Sequence, residues 1–242
     1  MQLTFEGKTI DQLAIELIQA YYPGHPYYLG NSSGKDSAVT EHLTMRAETP
    51  YESHYSVSPL DPPEVRLHLK EYYPNTIWDY NAKGFFTKHL MTHGLPVRKV
   101  RWCCSIIKES GGSEYPIKIL GMRKAESNGR KQYKCFENHA KERGNWLLPI
   151  LNWSDADVWQ YISEYKLKIN PLYKQGWKRI GCLFCPFAGR DEIKMSLAKY
   201  PRLANAWKEA ATRYVNERNT NPKRKPIPFE TGEEYFNWWI KR

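Results

Sequence analysis

The sequence predicts an α/β fold, a doubly wound and mainly parallel sheet that continues into a helical C-terminal extension. Segments typical of buried strands alternate with segments of helical period, which is the order expected when helices connect parallel strands. A loop rich in Ser and Gly follows the first predicted strand and leads into a helix. Because the pattern turns helical and basic late in the chain, we expect an α/β domain over residues 1–190 and a basic helical extension over residues 191–242.

The first predicted element is a helix that begins at Thr9. Its apolar residues recur at helical spacing, and Thr9 with Gln12 has the pattern of a capping box. Pro23–Gly24 ends this helix, and Pro26–Gly30 then has the composition of a short buried strand. A second helix is expected to start inside the loop that follows the strand.

Further strands and helices are predicted along the rest of the chain. The strands are Glu52–Ser58, Thr76–Tyr80, Ile117–Met122 and Trp146–Ile150. The helices are Pro63–Tyr73, Phe85–His93, Ser154–Tyr165, Ala198–Arg218 and Glu234–Ile240, with a Pro/Lys/Arg break at Asn221–Pro228. Ser154 is the expected N-cap of its helix, and Asp157 in the first turn is interpreted as a capping residue.

The composition narrows the class of protein. Hydrophobic residues make up 41% of the 242 residues, enough for a core, and no apolar run approaches the roughly 18–20 residues of a membrane span. The segment Met1–Gly7 lacks the features of a secretory signal, so we expect a cytoplasmic protein. The net charge of +10 favours polyanionic partners, namely nucleotides, nucleic acid or both.

The loop Ser32–Ser37 has the chemistry of a phosphate site. Serine hydroxyls and successive backbone N–H groups can surround phosphate oxygens, and Gly34 allows close backbone approach. The following helix adds the positive end of its dipole, and Lys35 adds a positive charge. Asp36 is expected to cap the helix or to help hold Mg²⁺. The alternative interpretation is an ordinary Ser/Gly turn that caps a helix.

Five cysteines suggest a metal site rather than disulfides. Cys103 and Cys104 are adjacent, Cys182 and Cys185 form a C-x-x-C pair, and Cys135 is left over. Four thiolates suit zinc or an iron–sulfur cluster. Two adjacent cysteines chelate a single ion awkwardly, whereas a cubane offers separate iron atoms, so the pattern favours [4Fe–4S]. Buried free cysteines are the remaining alternative.

The loop resembles the SGGxDS loop of the PP-loop ATP pyrophosphatases, in the branch that contains the phosphoadenosine-phosphosulfate (PAPS) reductases. Ser33 stands where that family usually has Gly, and a position that needs a positive φ would make this a costly departure. Other segments resemble the family in the same order along residues 28–190. They are Arg101–Cys104 with Lys108, Gly121–Ser127, Leu151–Trp159 and Gly181–Pro186.

The resemblance implies an adenine-nucleotide alpha-hydrolase-like fold in which Arg123 lies near the anionic end of the bound nucleotide. Sulfonucleotide reductases of this family carry a nucleophilic cysteine near the C-terminus, whereas Glu233–Arg242 contains none. The best match is therefore the iron–sulfur ATP-pyrophosphatase component of DNA phosphorothioation systems. This resemblance implies cleavage of ATP to AMP and pyrophosphate, a cysteine desulfurase as sulfur donor, and DNA nearby. The basic run Lys223–Lys225 is compatible with DNA, or with a solvated tail.

We therefore expect an enzyme of sulfur transfer that depends on ATP and Mg²⁺. A homo-oligomer is also compatible with the sequence. The expected catalytic residues are Lys35, Asp36 and Arg123. The expected phosphate-binding residues are Ser32, Ser33, Gly34, Lys35 and Ser37, and the expected ligands of the [4Fe–4S] cluster are Cys103, Cys104, Cys182 and Cys185. Arg101, Lys108 and Arg123 are alternatively solvated surface charges. Two other functions remain open: a sulfonucleotide reductase that uses Cys135 as a nonstandard thiol, and a non-catalytic nucleic-acid-binding module with structural zinc.

Overall fold

The computed structural model of this protein describes residues 7–139 and 144–241, and these divide into two compact units. The first, here called the sheet unit, comprises Met1–Ser56, Pro63–Asp79 and Ser110–Ile180. The second, the helical unit, comprises Val57–Pro62, Tyr80–Glu109 and Gly181–Arg242. The expectations for the first six residues and for Arg242 lie outside the described residues.

This division differs from the predicted boundary after residue 190. The chain leaves the sheet unit twice before its last segment, because the connections that follow β2 and β3 carry residues of the helical unit. Sequence patterns report local periodicity and cannot show which distant segments pack together. As a consequence, both predicted cysteine pairs belong to the helical unit, whereas the predicted phosphate loop belongs to the sheet unit.

The sheet unit contains a six-stranded sheet in the order β3-β2-β1-β4-β6-β5. The strands are β1 (Tyr27–Gly30), β2 (Tyr51–Ser56), β3 (Ile77–Asp79), β4 (Ile117–Leu120), β5 (Phe136–His139) and β6 (Gly144–Leu147). All neighbours pair in parallel except β5, which runs antiparallel to β6. The predicted α/β class with a mainly parallel sheet is confirmed.

The described α-helices lie in both units. They are α1 (Ile10–Ala20), α2 (Lys35–Arg46), α3 (Pro63–Tyr72), α4 (Leu90–His93), α5 (Trp102–Ile107), α6 (Asp155–Glu164), α7 (Arg190–Lys199), α8 (Pro201–Thr220) and α9 (Gly232–Ile240). Both predicted caps are present. The Thr9 N–H donates to Gln12 Oε1 at 2.8 Å, and the Asp157 N–H donates to Ser154 Oγ at 3.1 Å.

Helix α2 packs against the sheet and thereby fixes the loop that precedes it. Leu29 on β1, Ile119 on β4, and Val39 and Leu43 on α2 are each fully buried. Burial of such a side chain stabilises a fold by about 1.5–3 kcal/mol. Strands β2 and β3 lie on one side of β1 and β4 lies on the other, so β1 and β4 form the topological switch point where open α/β sheets bind ligands.

The helical unit is held by aromatic packing of its long C-terminal helices. Trp207 of α8 and Trp239 of α9 have ring centroids 4.6 Å apart, and both side chains are buried. The predicted single helix Ala198–Arg218 is wrong, because α7 ends at Lys199 and α8 begins at Pro201. Proline lacks the N–H that an uninterrupted helix needs, but it is well suited to the first position of a new one.

The predicted helix Phe85–His93 also differs in detail, since its first part, Phe85–His89, is a π-helical turn that leads into α4. None of the helices in the described residues is both long enough and apolar enough to cross a membrane.

Candidate functional site

The loop between β1 and α2 is organised around the buried side chain of Asn31. The Asn31 N–H donates to the carbonyl oxygen of His54 on β2 at 2.8 Å, which fixes the start of the loop to the sheet. Asn31 Oδ1 accepts the Ser33 N–H at 2.8 Å, and Asn31 Nδ2 donates to Glu41 Oε2 at 2.6 Å. Since the side chain of Asn31 is tied at both ends, the protein itself fixes the path of the loop.

Ser37 closes the loop from within. Its Oγ lies 3.3 Å from the Ser32 N–H and 3.1 Å from the Gly34 N–H, and it donates to the carbonyl oxygen of Gly34 at 2.9 Å. Ser37 is buried and Ser32 is exposed, so Ser32 lies on the open side of the loop. Two backbone amides thus converge on one oxygen atom, which is the arrangement that cradles anions in such loops.

Ser33, which stands at a Gly position of the SGGxDS pattern, has a left-handed backbone, with φ of 62°. This conformation costs a non-Gly residue about 1–2 kcal/mol. The Ser33 hydroxyl forms two compensating hydrogen bonds, one with His68 Nδ1 and one from Asn170 Nδ2, both at 2.9 Å. The hydroxyl is therefore committed to its neighbours, and the Ser33 N–H is committed to Asn31 Oδ1, so the role of Ser33 in binding phosphate stays a prediction.

Two cations and two carboxylates meet at the first turn of α2. Asp36 accepts hydrogen bonds from Arg123 Nε at 2.6 Å and from Lys35 Nζ at 3.0 Å. Asp155 Oδ1 accepts a hydrogen bond from the Arg123 guanidinium at 2.6 Å and lies 3.3 Å from Lys35 Nζ. The predicted residues Lys35, Asp36 and Arg123 are brought together. Here Asp36 is the shared anion of the two cations, and its predicted role toward Mg²⁺ stays a prediction.

Arg123 is fixed more firmly than a surface charge, because only 2% of it is exposed. It follows β4, and the close approach of that segment to α2 depends on Gly121, where a Cβ would lie 2.8 Å from the carbonyl oxygen of Asp36. Burial acts to raise the pKa of Asp155, but hydrogen bonds from Arg123 and Lys35 and the charge of Lys35 outweigh it and lower the pKa. The alternative of a solvated Arg123 is wrong.

Sequence reasoning missed two residues of this cluster. Asp155 is the first residue of α6 and lies in Leu151–Trp159, a segment that resembles the family, but the sequence pattern singled out only Asp157 there. Tyr173 lies on a 3₁₀ turn, Pro171–Gln175, and its hydroxyl accepts the Lys35 N–H at 2.9 Å. No periodicity or motif distinguishes Tyr173 from the other tyrosines, so only the fold reveals it.

The helical unit contains both cysteine pairs. Cys103 and Cys104 lie on the short helix α5, and Cys182 and Cys185 precede α7. A hydrogen bond from Cys103 lowers the pKa of Cys104 to about 6; burial opposes this, and the charges of Lys108 and Arg101 support it. The same hydrogen bond, burial and the nearby thiols raise the pKa of Cys103. Arg101 and Lys108 therefore lie close enough to stabilise a thiolate.

The four thiols lie close enough to influence one another, since Cys182 and Cys185 both affect the ionisation of Cys103. Burial raises the pKa of Cys182 to about 12. Among residues 7–139 and 144–241, no three His, Cys, Asp or Glu side chains are arranged to hold a metal ion. The donor set suits iron or zinc, and the [4Fe–4S] cluster stays a prediction.

Cys135 belongs to the sheet unit, apart from the two pairs. Its sulfur lies 3.8 Å from Asn152 Nδ2. Burial raises its pKa, opposed by the charge of Lys124, so its thiolate is disfavoured.

Comparison with known proteins relates the chain to one family. The model of the phosphoadenosine phosphosulfate reductase domain matches residues 27–188. An uncharacterized protein of Methanocaldococcus jannaschii is 28% identical over 214 residues, which are 80% of this chain and 43% of that protein. An adenosine 5'-phosphosulfate reductase of Lysinibacillus sphaericus is 33% identical over 98 residues, which are 38% of this chain and 42% of that protein. The chain thus spans about half the length of the curated relatives it matches.

Among solved structures, the phosphoadenylyl-sulfate reductase of Candida auris, a phosphate complex, superimposes with a TM-score of 0.53. It is 18% identical and covers 75% of this chain and 97% of that chain. At this identity the likeness shows the fold alone. Together with the parallel sheet, it confirms the predicted adenine-nucleotide alpha-hydrolase-like fold.

Proposed function

This chain belongs to the phosphoadenosine phosphosulfate reductase domain family, and from that premise we propose that it cleaves ATP to AMP and pyrophosphate in a sulfur-transfer reaction. The observation that carries the proposal is the loop Asn31–Ser37, which is held by hydrogen bonds within the protein and lies beside the paired cations Lys35 and Arg123. Such a loop at the switch point of a parallel sheet has the chemistry to hold a polyphosphate.

In the proposed reaction, the β- and γ-phosphates bind at the N-terminus of α2, where the helix dipole and backbone amides favour negative charge. An acceptor oxygen attacks the α-phosphorus, and pyrophosphate leaves with the electron pair of the broken bond. AMP, now bonded to the acceptor, leaves with its bridging oxygen when a sulfur nucleophile from the donor attacks the acceptor. Lys35, on a flexible stem, exchanges its carboxylate contacts for the leaving phosphates. The buried guanidinium of Arg123 stays in place and stabilises the charge that develops at the α-phosphoryl group.

Mg²⁺ would enter with the nucleotide, since this ion is commonly held by phosphate oxygens and only one or two carboxylates. Asp36 and Asp155 are the nearby carboxylates that could share it with the nucleotide. The four cysteines of the helical unit would hold the [4Fe–4S] cluster, which supplies electron transfer when bound. Arg101 and Lys108 support thiolate formation at Cys104.

A second function, sulfonucleotide reduction, is favoured by the likeness to the adenosine 5'-phosphosulfate reductase of Lysinibacillus sphaericus. That chemistry requires a nucleophilic thiolate. Outside the two pairs this chain has Cys135, and burial raises the pKa of its thiol, which disfavours the thiolate. This observation supports ATP cleavage over reduction.

The test is pyrophosphate release from ATP by the anaerobically purified protein. Lys35→Ala should abolish the release and leave the iron content unchanged, because Lys35 lies in the sheet unit and the cysteines lie in the helical unit. Lys8→Ala is the matched control, since Lys8 forms a surface pair with Glu16 at 2.8 Å and should leave the release unchanged. Equal release by Lys35→Ala and the unmodified protein would remove the loop from the mechanism. Sulfite release from adenylylsulfate, sensitive to Cys135→Ser, would favour the reductase.

The proposed sulfur acceptor is DNA, and the proposed donor is a cysteine desulfurase. The net charge of +10 and the exposed side chains of Lys223 and Lys225 support binding to a polyanion, whereas Arg224 between them is paired with Glu217. Binding of duplex DNA that weakens steeply with salt, together with phosphorothioate linkages formed when desulfurase, cysteine and ATP are added, would support both. Formation of the linkages without this chain would exclude it as the ATP-cleaving component.

A further inference from the structure

The hydroxyl of Tyr173 lies at the opening of the phosphate loop. It accepts the Lys35 N–H, the first amide of α2, at 2.9 Å. A Cβ at Gly34 would lie 3.6 Å from the same oxygen, so the hydroxyl borders the residue that allows close backbone approach. The oxygen of Tyr173 thus lies beside the loop backbone at the N-terminus of α2. A phosphate bound at this helix end would lie next to the same oxygen.

Besides the hydrogen bond between Tyr173 and Lys35, a second hydrogen bond, from Asn170, attaches the turn to the loop. Asn170, fully buried, donates from Nδ2 to Ser33 Oγ at 2.9 Å, and its Oδ1 accepts the Leu172 N–H at 3.0 Å. The Tyr173 ring is also held edge-on by Trp159, with centroids 5.3 Å apart. The hydroxyl is therefore held in one position by the protein itself. A ligand that binds to it would not have to order the side chain, which lowers the entropic cost of binding.

A tyrosine hydroxyl can accept one hydrogen bond and donate another. Within residues 7–139 and 144–241, the Tyr173 oxygen accepts from Lys35, and no acceptor for its own proton lies within hydrogen-bonding distance. Burial raises the pKa of Tyr173 to about 12, so that the proton stays on the oxygen at neutral pH. The side chain is thus a neutral donor without an acceptor.

The charges near this hydroxyl favour an anion. Asp36, Arg123 and Arg179 all lie close enough to influence its ionisation, and Arg123 is paired with Asp36 and Asp155. Arg130 lies in the same group, since burial and the charge of Arg179 lower its pKa. Four cations thus face three carboxylates, since Lys35 and Arg123 pair with Asp36 and Asp155 and Arg130 pairs with Glu126. The remaining positive charge favours an anionic ligand such as a phosphate.

We propose that Tyr173 is a further phosphate-binding residue of the nucleotide site: its hydroxyl accepts the Lys35 N–H and donates its proton to a phosphate oxygen. This inference rests on the proposed function of the loop. It differs from a second arrangement, in which the hydroxyl only fills the place of a phosphate and leaves when one binds. The two arrangements predict opposite effects of removing the oxygen.

The test is calorimetric titration of the full chain with inorganic pyrophosphate and, separately, with adenosine. Tyr173→Phe should weaken pyrophosphate binding about 10- to 100-fold, the factor that one hydrogen bond to a charged group supplies. Adenosine binding should not change. Tyr165→Phe is the matched control, because it removes a hydroxyl of α6's C-terminal cap, whose hydrogen bond to Asp11 measures 3.4 Å.

Unchanged or tighter pyrophosphate binding by Tyr173→Phe would overturn the inference, as would an equal loss for pyrophosphate and adenosine, which indicates a structural defect. Lys35→Ala separates this failure from failure of the proposed function. If Lys35→Ala loses pyrophosphate and Tyr173→Phe does not, the loop binds phosphate without Tyr173. If the unmodified protein binds no pyrophosphate, the proposed function fails as well.

Discussion

The phosphate loop of the sheet unit and the cysteine pairs of the helical unit are prepared for their ligands to different degrees. Asn31, Ser37 and Tyr173 fix the loop through hydrogen bonds that the protein makes alone. The cysteines influence one another electrostatically. In the described residues, however, no three His, Cys, Asp or Glu side chains are arranged so that they could hold a metal ion.

The difference has a physical cause. A phosphate cradle uses backbone amides, which must find hydrogen-bond partners in any folded loop, so folding itself builds it. A four-thiolate site collects like charges, and it becomes favourable only when a metal replaces the protons. We therefore expect the loop to keep its structure when its ligand is removed. The structure of the cysteine region, in contrast, should depend on its bound metal.

The largest expected effect is on metal content. Cys104→Ser and Cys182→Ser should each abolish bound iron and acid-labile sulfide, because a site with three thiolates loses one corner of its coordination. Cys135→Ser is the control and should retain both, since Cys135 lies in the sheet unit. Iron and sulfide analysis after anaerobic purification measures this. Zinc in place of iron would assign the site to a structural ion, and metal retained by Cys104→Ser would contradict the four-cysteine set.

The second effect is a pH dependence that originates at the loop. Burial raises the pKa of Glu41 from its ordinary value of 4.5 to about 7, only partly offset by hydrogen bonds from Asn31 and Ser53. Between these values the folded state binds more protons than the unfolded state, so stability falls as pH rises from 4.5 to 7. Tyr51 and Tyr73 also lie close to this carboxyl group.

Glu41→Gln should remove this dependence while keeping an acceptor for Asn31. Relative to the unmodified protein, its free energy of unfolding should rise by on the order of 2 kcal/mol between pH 5 and pH 8. Urea unfolding at the two pH values measures the change. Glu16→Gln, at an exposed surface pair, is the control and should show no such change. Parallel pH profiles for Glu41→Gln and the unmodified protein would show that Glu41 titrates normally.

The smallest effect concerns the residue that departs from the family pattern. Ser33→Gly relieves the left-handed strain of about 1–2 kcal/mol but removes two hydrogen bonds, of about 1 kcal/mol each, and leaves His68 and Asn170 short of a partner. We expect a net loss of about 1 kcal/mol in the free energy of unfolding.

Ser33→Ala keeps the strain and loses the same hydrogen bonds, so it should cost about 1 kcal/mol more than Ser33→Gly. Denaturant unfolding of both variants compares the cost of the backbone strain with the loss of the two hydrogen bonds. A gain in stability for Ser33→Gly would show that strain outweighs the hydrogen bonds at this position.

The sequence predicted the parts of this molecule that depend on local chemistry. The loop and both capping boxes follow from residues close together in the chain, and the family resemblance pointed to Arg123. Strand β5 was missed because Phe136–His139 is short and has polar residues at its centre. The break between α7 and α8 was missed because helical periodicity continues across Pro201.

The rest could not be read from local pattern, because it depends on contacts between distant positions. Lys35 and Tyr173 are 138 residues apart, and Arg123 meets Asp36 across 87 residues. The division into two units is of the same kind, since segments from several parts of the chain join each unit.

The central claim is that the loop amides hold phosphate. Titration of isotopically labelled protein with inorganic pyrophosphate, followed by the amide resonances in nuclear magnetic resonance spectra, tests it most directly. The account predicts saturable shifts at Ser32, Gly34 and Lys35, all lost in Lys35→Ala, with the resonances of Trp207 and Trp239 in the helical unit unchanged. Shifts confined to residues outside the loop, or no shift at saturating pyrophosphate, would contradict it.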